Sequence, residues 1–433
     1  MRIADHKFRE TQVSDKLIID QKSKILANFR RFCLATEHFI NLEAQYGAKN
    51  YAPLDVVLSK GQGIWVEDVD GNRYMDCLSA FSAVNQGHCH PRITQALVDQ
   101  AIQIQLTSRA FRNEKLGLFY KQICEMTGYA MALPMSTGAE AVETAIKAAR
   151  KWGYMIKGVD DECAEIIVCA GNFHGRTVTV VSFSSNEQYR DGFGPYTPGF
   201  KIIPYGDHSA LETAIGPNTV AFLVEPIQGE GGIVVPSEGY LRRAVELCEK
   251  NNVLMIADEI QTGLGRTGKF FACDHDGVRP DIMLLGKALS GGAYPISVVL
   301  SSKEILGLFK PGDHGSTFGG NPLGCAVSMV ALDVLIDEGM IENSARMGKY
   351  FMEKLRAIPS PHVREVRGKG LLIGVVLNPG AGGGRRFCEA MQARGLLAIT
   401  THEHVIRFAP PLIITRADLD WALKIIEDIL LMD

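Results

Sequence analysis

The sequence predicts an α/β protein: a large domain built on a mostly parallel sheet, joined to a smaller α+β domain. Three observations carry this. From Pro91 onward short β-branched runs alternate with helical patterns, the order that builds a parallel sheet covered on both faces. After Pro322 strands and helices come in groups instead, which marks a separate α+β domain. Two apolar runs end in a charged residue, at Asp258 and Lys287, and open α/β sheets bind ligands beyond the carboxyl ends of their strands.

Taken in order, residues 1–40 are rich in Lys, Arg, Asp and Gln, with amphipathic character around Leu17-Ile18-Ile19 and Ile25-Leu26. They read as an N-terminal arm that packs on the body or on a partner subunit. Residues 41–75 read as the N-terminal part of the small domain, where a strand with Ile64 and Val66 meets Asp70-Gly71, the signal of a type I′ hairpin. Residues 76–325 make the large domain. Helical periodicity covers 93–105, 115–126, 140–157 and 238–251. Strand-like runs cover Glu165–Cys169, Val178–Phe183, Val220–Val224, Val253–Ala257, Ile282–Leu285 and Ile296–Leu300. Residues 326–433 make the C-terminal small domain. Around and within it, helices are predicted over 323–335, 340–357, 386–394 and 417–432, and strands over 363–366, 371–377 and 405–408. Pro379-Gly-Ala-Gly-Gly-Gly384 is a flexible loop by composition.

At 433 residues, with 46% apolar residues, the chain can bury a large core in two domains. A net charge of −4 and a pI near 6.3 leave no electrostatic footprint for nucleic acid or an anionic membrane, so small-molecule partners are favoured. The ten cysteines are scattered without a C-x-x-C pair, which fits reduced thiols better than a disulfide framework or a zinc site. His88 and His90, one residue apart with no further ligand cluster, read as structural, and no metal is expected. The N-terminus lacks a signal-peptide core and no window is apolar enough to span a bilayer, so the expected location is cytoplasmic.

Lys287 closes the apolar run Ile282–Leu285. Such a lysine either snorkels to water or is desolvated, and a desolvated amine is a nucleophile towards aldehydes. Asp258 closes another run 29 residues earlier, room for one connection between neighbouring strands. A lysine for an aldehyde and an acid to keep a ring nitrogen protonated are the pair that a pyridoxal cofactor needs. A phosphate would suit Met135-Ser-Thr137-Gly138-Ala139-Glu140, where small residues open a long helix with free amides at the positive end of its dipole. Ordinary N-capping by Ser136 or Thr137 accounts for the same residues. Gly263-Leu-Gly-Arg-Thr-Gly268 has the spacing of a dinucleotide fingerprint, but the residues after it lack the amphipathic helix which that motif requires.

Further segments share one pattern: Tyr46–Tyr51, Ser82–Pro91, Gly171-Asn-Phe-His-Gly-Arg-Thr177, Glu225-Pro-Ile-Gln-Gly-Glu230, Ile256–Gly263, Leu285–Ser290, His314–Thr317 and Val405–Pro411. In these residues, in family order from about residue 44 to the C-terminus, the chain resembles the class III (ω-amino acid) branch of the pyridoxal-phosphate aminotransferases. Within it the chain looks most like the enzymes that act on ornithine. The resemblance implies fold type I, pyridoxal 5'-phosphate, and transfer of the δ-amino group of L-ornithine to 2-oxoglutarate. Other ω-aminotransferase substrates (acetylornithine, lysine, 4-aminobutyrate) and a pyridoxal-phosphate aminomutase are the alternatives. It implies catalytic roles for Lys287 and Asp258, a phosphate site at Thr137, Gly138 and Ala139, and ring contacts from Phe173, Ile260 and Gln261. Thr317 would reach the phosphate from the neighbouring subunit, implying a homodimer or higher homo-oligomer. Tyr51, Phe81, Arg176, Glu230 and Arg407 would bind substrate. The sequence departs from many relatives at Ser136, where Asn is frequent, and at Phe81, where Tyr is frequent.

Overall fold

A computed structural model describes residues 36–432 of the chain. The expected arm therefore lies outside the described residues as far as residue 35. The described chain forms two compact units, one of residues 36–60 and 66–73, the other of residues 61–65 and 74–432.

In the first unit the helix Thr36–Tyr46 begins where Thr36 Oγ1 donates to Asp70 Oδ2 at 2.6 Å. The turn at Asp70-Gly71 differs from the expected type I′ form. Gly71 alone of residues 69–72 has a positive φ, +87°, and its N–H bonds to Asp68 O at 3.2 Å. Asp68 Oδ1 accepts from the backbone N–H of Asp70 and of Asn72, at 3.0 and 2.8 Å. A side chain bonding to the backbone two residues on stabilises a right-handed turn closed by one left-handed glycine.

The second unit is built on a seven-stranded sheet. Its strands lie in the order Met131–Met135, Ser297–Ser301, Ile282–Leu285, Leu254–Asp258, Thr219–Val224, Glu165–Cys169, Phe200–Ile203. Ser297–Ser301 runs antiparallel to both neighbours and the other pairs are parallel. Thr219–Val224, Leu254–Asp258 and Ile282–Leu285 are buried along their whole length, as central strands covered on both faces must be. Two strands carried too little signal to be read. Met131–Met135 and Phe200–Ile203 are the sheet's edges, where Pro134 costs no ladder bond and partial exposure blurs the apolar run. The β-branched run Val178–Ser182 is a helix, not a strand. Thr177 Oγ1 caps it by accepting from the Val180 N–H, and its buried residues Val180 and Val181 join the core; cap and burial outweigh a propensity difference of about 0.5 kcal/mol per residue.

A four-stranded antiparallel sheet comes next, in the order Val363–Lys369, Leu372–Leu377, Val405–Phe408, Ile399–Thr401. It places Arg407 opposite Gly374. The seven-stranded sheet falls within 76–325 and this one within 326–433, although residue 325 itself lies inside the helix Pro322–Asp337. Pro379–Ala381, read as loop, forms one 3₁₀ turn. Gly263–Gly268 is a turn with positive φ at Gly265 and Gly268, and it leads into the four-residue 3₁₀ helix Ala272–His275, not into a dinucleotide-binding helix.

Candidate active site

Four neighbouring parallel strands each end at one side of the sheet and deliver a polar or aromatic group there. Ile282–Leu285 leads to Lys287, Leu254–Asp258 ends on Asp258, Thr219–Val224 leads to Glu225, and Glu165–Cys169 leads to Phe173 and His174. These residues line a cavity of about 180 Å³ together with Gly138, Ala139, Gly175, Glu230, Ile260, Gln261 and Thr262.

Lys287 comes after Gly286 in a left-handed conformation, φ +44°. A non-glycine residue held there carries strain, of the kind that clusters at active sites. Among the described residues no group pairs with its amine. Burial lowers its pKa, and the nearby Arg407 charge lowers it further, against the opposing pull of Glu230, Asp258 and Glu225. The alternative of a snorkelling strand-end lysine therefore gives way to a desolvated one.

Asp258 is 5% exposed. Its Oδ2 lies 2.7 Å from His174 Nδ1, and its Oδ1 accepts from the Ile260 N–H at 3.1 Å. Burial works against a charged His174, but the hydrogen bond and charge of Asp258, with Glu225 beyond, outweigh it and raise its pKa. His174 and Glu225 were not singled out from sequence. His174 stands inside the segment Asn172–Arg176, and Glu225 comes after an apolar run just as Asp258 does.

The helix Gly138–Trp152 begins at the cavity edge. Thr137 caps it in a full capping box with Glu140, so the capping alternative holds for Thr137. Gly138 and Ala139 line the cavity with their amides at the helix start. A Cβ on Gly138 would meet Ile260 Cδ1 at 3.1 Å, and one on Gly175 would meet Ala139 Cβ at 2.9 Å. This narrow, amide-lined cradle suits a phosphate. Phe173, Ile260 and Gln261 line the same cavity, and the buried Gln261 Oε1 has no hydrogen-bond partner among the described residues. A cradle of amides, a desolvated amine and a buried carboxylate together fit a pyridoxal phosphate.

At the other side Arg407 Nη1 donates to Glu230 Oε1 at 2.5 Å, and Arg407 is only 1% exposed. Glu230 is held charged: burial pushes its pKa up, but the Arg407 charge and hydrogen bond bring it below the usual carboxylate range. The Phe81 ring lies 4.7 Å from the Arg407 guanidinium. Phe81 is presented by four successive left-handed residues, Ser79 to Ser82, with φ between +46° and +70°. Asp76 braces this turn, accepting from the Leu78 and Ser79 N–H groups at 2.7 and 2.9 Å, and is itself held by His88 at 2.7 Å. His88 thus pairs with the carboxylate that braces the turn.

Six expected residues are not among the cavity's lining: Thr137, Phe81 and Arg407, whose contacts are given above, and Arg176, Thr317 and Tyr51. Arg176 is exposed and lies 3.6 Å over the Tyr189 ring and 5.4 Å over Phe173. Thr317 is exposed, next to Ser316, which donates to Glu140 Oε1 at 3.3 Å. Tyr51 belongs to the first unit and is 80% exposed.

Comparison with known proteins agrees with this geometry. The profile of the class-III aminotransferases matches residues 46–430. The chain is similar to an ornithine aminotransferase of Brevibacillus brevis, 60% identical over 395 residues, covering 91% of this chain and 98% of that one. Its fold is similar to that of the Toxoplasma gondii ornithine aminotransferase, whose structure is described with partial occupancy of PLP at the active site. That match has a TM-score of 0.91 and 46% identity, covering 94% of this chain and 97% of that one. It is also similar to the acetylornithine aminotransferase of Elizabethkingia anophelis, with a TM-score of 0.84 and 50% identity over 92% of this chain and 99% of that one. A lysine and a paired aspartate at adjacent strand ends, a phosphate cradle and this match over nearly the whole chain lead to one assignment: the chain belongs to the class-III aminotransferase family, enzymes of fold type I that depend on pyridoxal 5'-phosphate.

Proposed function

We propose that the chain is an ornithine δ-aminotransferase, moving the δ-amino group of L-ornithine to 2-oxoglutarate to give glutamate 5-semialdehyde and glutamate. The observation that carries this is the pairing of the buried Arg407 with Glu230, which lines the same cavity as Lys287. Ornithine presents an amine whose carbon bears no carboxylate, whereas 2-oxoglutarate carries a carboxylate next to its reacting carbon. A free arginine would favour α-amino acids in both halves of the cycle, since guanidinium–carboxylate pairs are among the stronger polar contacts. Glu230 neutralises Arg407 while ornithine binds. It swings aside when the α-carboxylate of 2-oxoglutarate arrives.

Pyridoxal phosphate supplies an electron sink for the carbon that loses its proton. The chain's own residues hold it and manage that proton. Gly138, Ala139 and Thr137 would hold the phosphate at the helix N-terminus, with Thr317 contributed by a second subunit. Phe173, Ile260 and Gln261 would hold the ring, and Asp258, oriented by His174, would keep its nitrogen protonated. Lys287 would anchor the cofactor through its amine and would take up and return the substrate's proton at Nζ. Arg176 would hold the far end of ornithine, and Tyr51 is a further candidate for that role.

A second reading, acetylornithine as donor, is favoured by the 50% identity to the Elizabethkingia anophelis enzyme. Purified enzyme assayed with ornithine, acetylornithine, lysine and 4-aminobutyrate against 2-oxoglutarate separates these readings. Semialdehyde formation fastest from ornithine supports the proposal, and a clear preference for any other donor overturns it.

We propose in addition that the enzyme is a homodimer. The side chains Ile102, Phe111 and Phe318 are 80%, 74% and 47% accessible, and large exposed apolar side chains are what a subunit interface would cover. Mixing inactive Lys287→Ala chains with inactive Thr317→Ala chains should restore part of the activity through mixed dimers. A monodisperse, fully active monomer would rule the dimer out. No described helix is long and apolar enough to cross a membrane, and we propose a cytoplasmic location.

A further inference from the structure

Glu230 stands on a tight loop whose backbone is pinned at several points. Gln228 and Val234 exchange backbone hydrogen bonds at 3.1 and 2.9 Å across its base. Thr401 Oγ1 donates to Glu230 O at 2.6 Å, and Arg367 Nη2 donates to Gly232 O at 2.7 Å. The fourth anchor is Glu225, whose Oε2 accepts from the Gly229 N–H at 3.2 Å while its Oε1 accepts from the Phe173 N–H at 2.9 Å. Gly229 is also pressed against Gln261: a Cβ there would fall 1.4 Å from Gln261 Oε1. One buried carboxylate therefore ties together the segment bearing the aromatic platform and the residue that precedes Glu230.

We infer that Glu225 is a positioning residue that fixes where Glu230 can stand over Arg407, and so sets the preference for the δ-amine over an α-amine. This rests on the roles proposed above for Glu230 and Arg407. Of the four anchors only Glu225 changes charge near neutral pH. Burial pushes its carboxyl up to about 7; His174 and the two N–H groups hold it down, and Asp258 raises it. Lys287, Tyr205 and Cys169 are the other titratable groups that sense it. Above that midpoint the carboxylate accepts from both N–H groups. Below it one oxygen carries a proton and one N–H loses its acceptor, so Gly229 loosens and Glu230 covers Arg407 less well. Glu230 itself, held charged by Arg407, does not titrate in this window. Lys287 and His174 serve both half-reactions, so their titrations cancel in a ratio.

The test is single-turnover reaction of the holoenzyme with ornithine and with glutamate, followed from one pH unit below the midpoint to one above. In the wild type the ornithine-to-glutamate rate ratio should rise through a midpoint near 7. In Glu225→Gln it should be lower by about tenfold at high pH, the loss of one buried hydrogen bond, and flat with pH. Thr401→Val removes a neutral anchor and should lower the ratio while keeping the pH step. Hydrogen exchange of the peptide spanning Gly229 and Glu230, read without turnover, should be faster in Glu225→Gln than in the wild type. A wild-type ratio that is flat with pH, or exchange unchanged by Glu225→Gln, overturns the inference. If the wild type does not react with ornithine at all, the functional proposal fails instead, and exchange alone decides the anchor.

Discussion

Two carboxylates that line the cavity, Asp258 and Glu230, are each held against a partner, but the two pairs are built differently. At the cofactor end Asp258 and His174 come from neighbouring regions of one sheet, with side-chain exposures of 6% and 0%. At the substrate end Arg407 sits on a strand of the four-stranded sheet at 1%, while Glu230 stands on a loop at 22%. A pair with both members locked in the same rigid scaffold can only be a fixture. A pair with one member on a loop and room beside it can open. Removing one partner of a buried ion pair strands the other, at a cost of about 3–5 kcal/mol, so a site that must open such a pair needs a substrate group to replace the missing partner. The α-carboxylate of 2-oxoglutarate is such a group.

The group shared by both ends is Lys287, and its loss should be felt equally on either side. Lys287→Ala should leave a protein that still binds cofactor through the phosphate cradle, with both half-reactions slowed by about 10²–10⁴-fold or more because the proton carrier is gone. Borohydride treatment of wild-type holoenzyme should place its label on Lys287. Label on another lysine would remove the residue from its role. Because burial lowers the amine's pKa, the pH at which the free amine appears should lie below that of an ordinary lysine.

Arg407 and Glu230 should separate the halves that Lys287 unites. Arg407→Ala should slow the 2-oxoglutarate half-reaction by about 10²-fold, the scale of a lost buried charge pair, and the ornithine half-reaction far less. Glu230→Ala should do the reverse in selectivity, raising α-amino transfer from glutamate relative to δ-amino transfer from ornithine. Equal losses in both halves for both variants would reduce the pair to a structural link between loop and sheet.

The same division governs what could be read from the chain itself. Asp258 and Lys287 were legible because each closes a fully apolar run, and such a run ending in a charge is rare unless the charge is used. Glu225 has the same signature, yet the proline after it reads as a simple strand stop, and only the folded backbone reveals the two N–H groups it receives. His174 sits inside a segment quoted for its resemblance, but nothing in its spacing points to a carboxylate 84 positions away. Edge strands failed for a plain reason: half-exposed and interrupted by Pro134, they carry little of the alternation that marks a strand. The roles of Arg176, Thr317 and Tyr51 came from resemblance alone, since exposed charged and aromatic residues have no local pattern that distinguishes ligand from surface.

At the cofactor end, His174→Gln tests whether the fixture is electrostatic. A neutral amide can still donate to Asp258 but cannot carry the positive charge that the carboxylate and Glu225 favour in His174. Charge-assisted hydrogen bonds are worth about 1.5–3 kcal/mol against about 1 for neutral ones, so turnover should fall by about tenfold. The loss should be equal for ornithine and 2-oxoglutarate, because both halves use the same ring. Unequal losses would mean that His174 acts on the substrate end as well.

The smallest expected effect lies at Phe81, which touches Arg407 with its ring and Gln261 with its backbone. Its ring covers the Arg407 guanidinium at 4.7 Å, and its carbonyl accepts from Gln261 Nε2 at 3.5 Å. The ring therefore covers the Arg407 guanidinium while the backbone touches Gln261. Phe81→Tyr would keep the ring on Arg407 and add one hydroxyl at its far edge. A new hydrogen bond to substrate is worth about 1 kcal/mol, roughly fivefold in rate or affinity. If the hydroxyl meets ornithine, the ornithine-to-acetylornithine ratio should rise by about that factor with the 2-oxoglutarate half-reaction unchanged. Phe81→Leu removes the cation–π contact instead, worth about 0.5–2 kcal/mol. It should leave Arg407 less well covered and lower δ-selectivity in the same direction as Glu230→Ala, but by less. Should Phe81→Tyr shift the 2-oxoglutarate half-reaction and leave ornithine untouched, the residue would belong with Arg407 rather than with the donor, and the line between the two pairs would have to be redrawn through the left-handed turn at Ser79–Ser82.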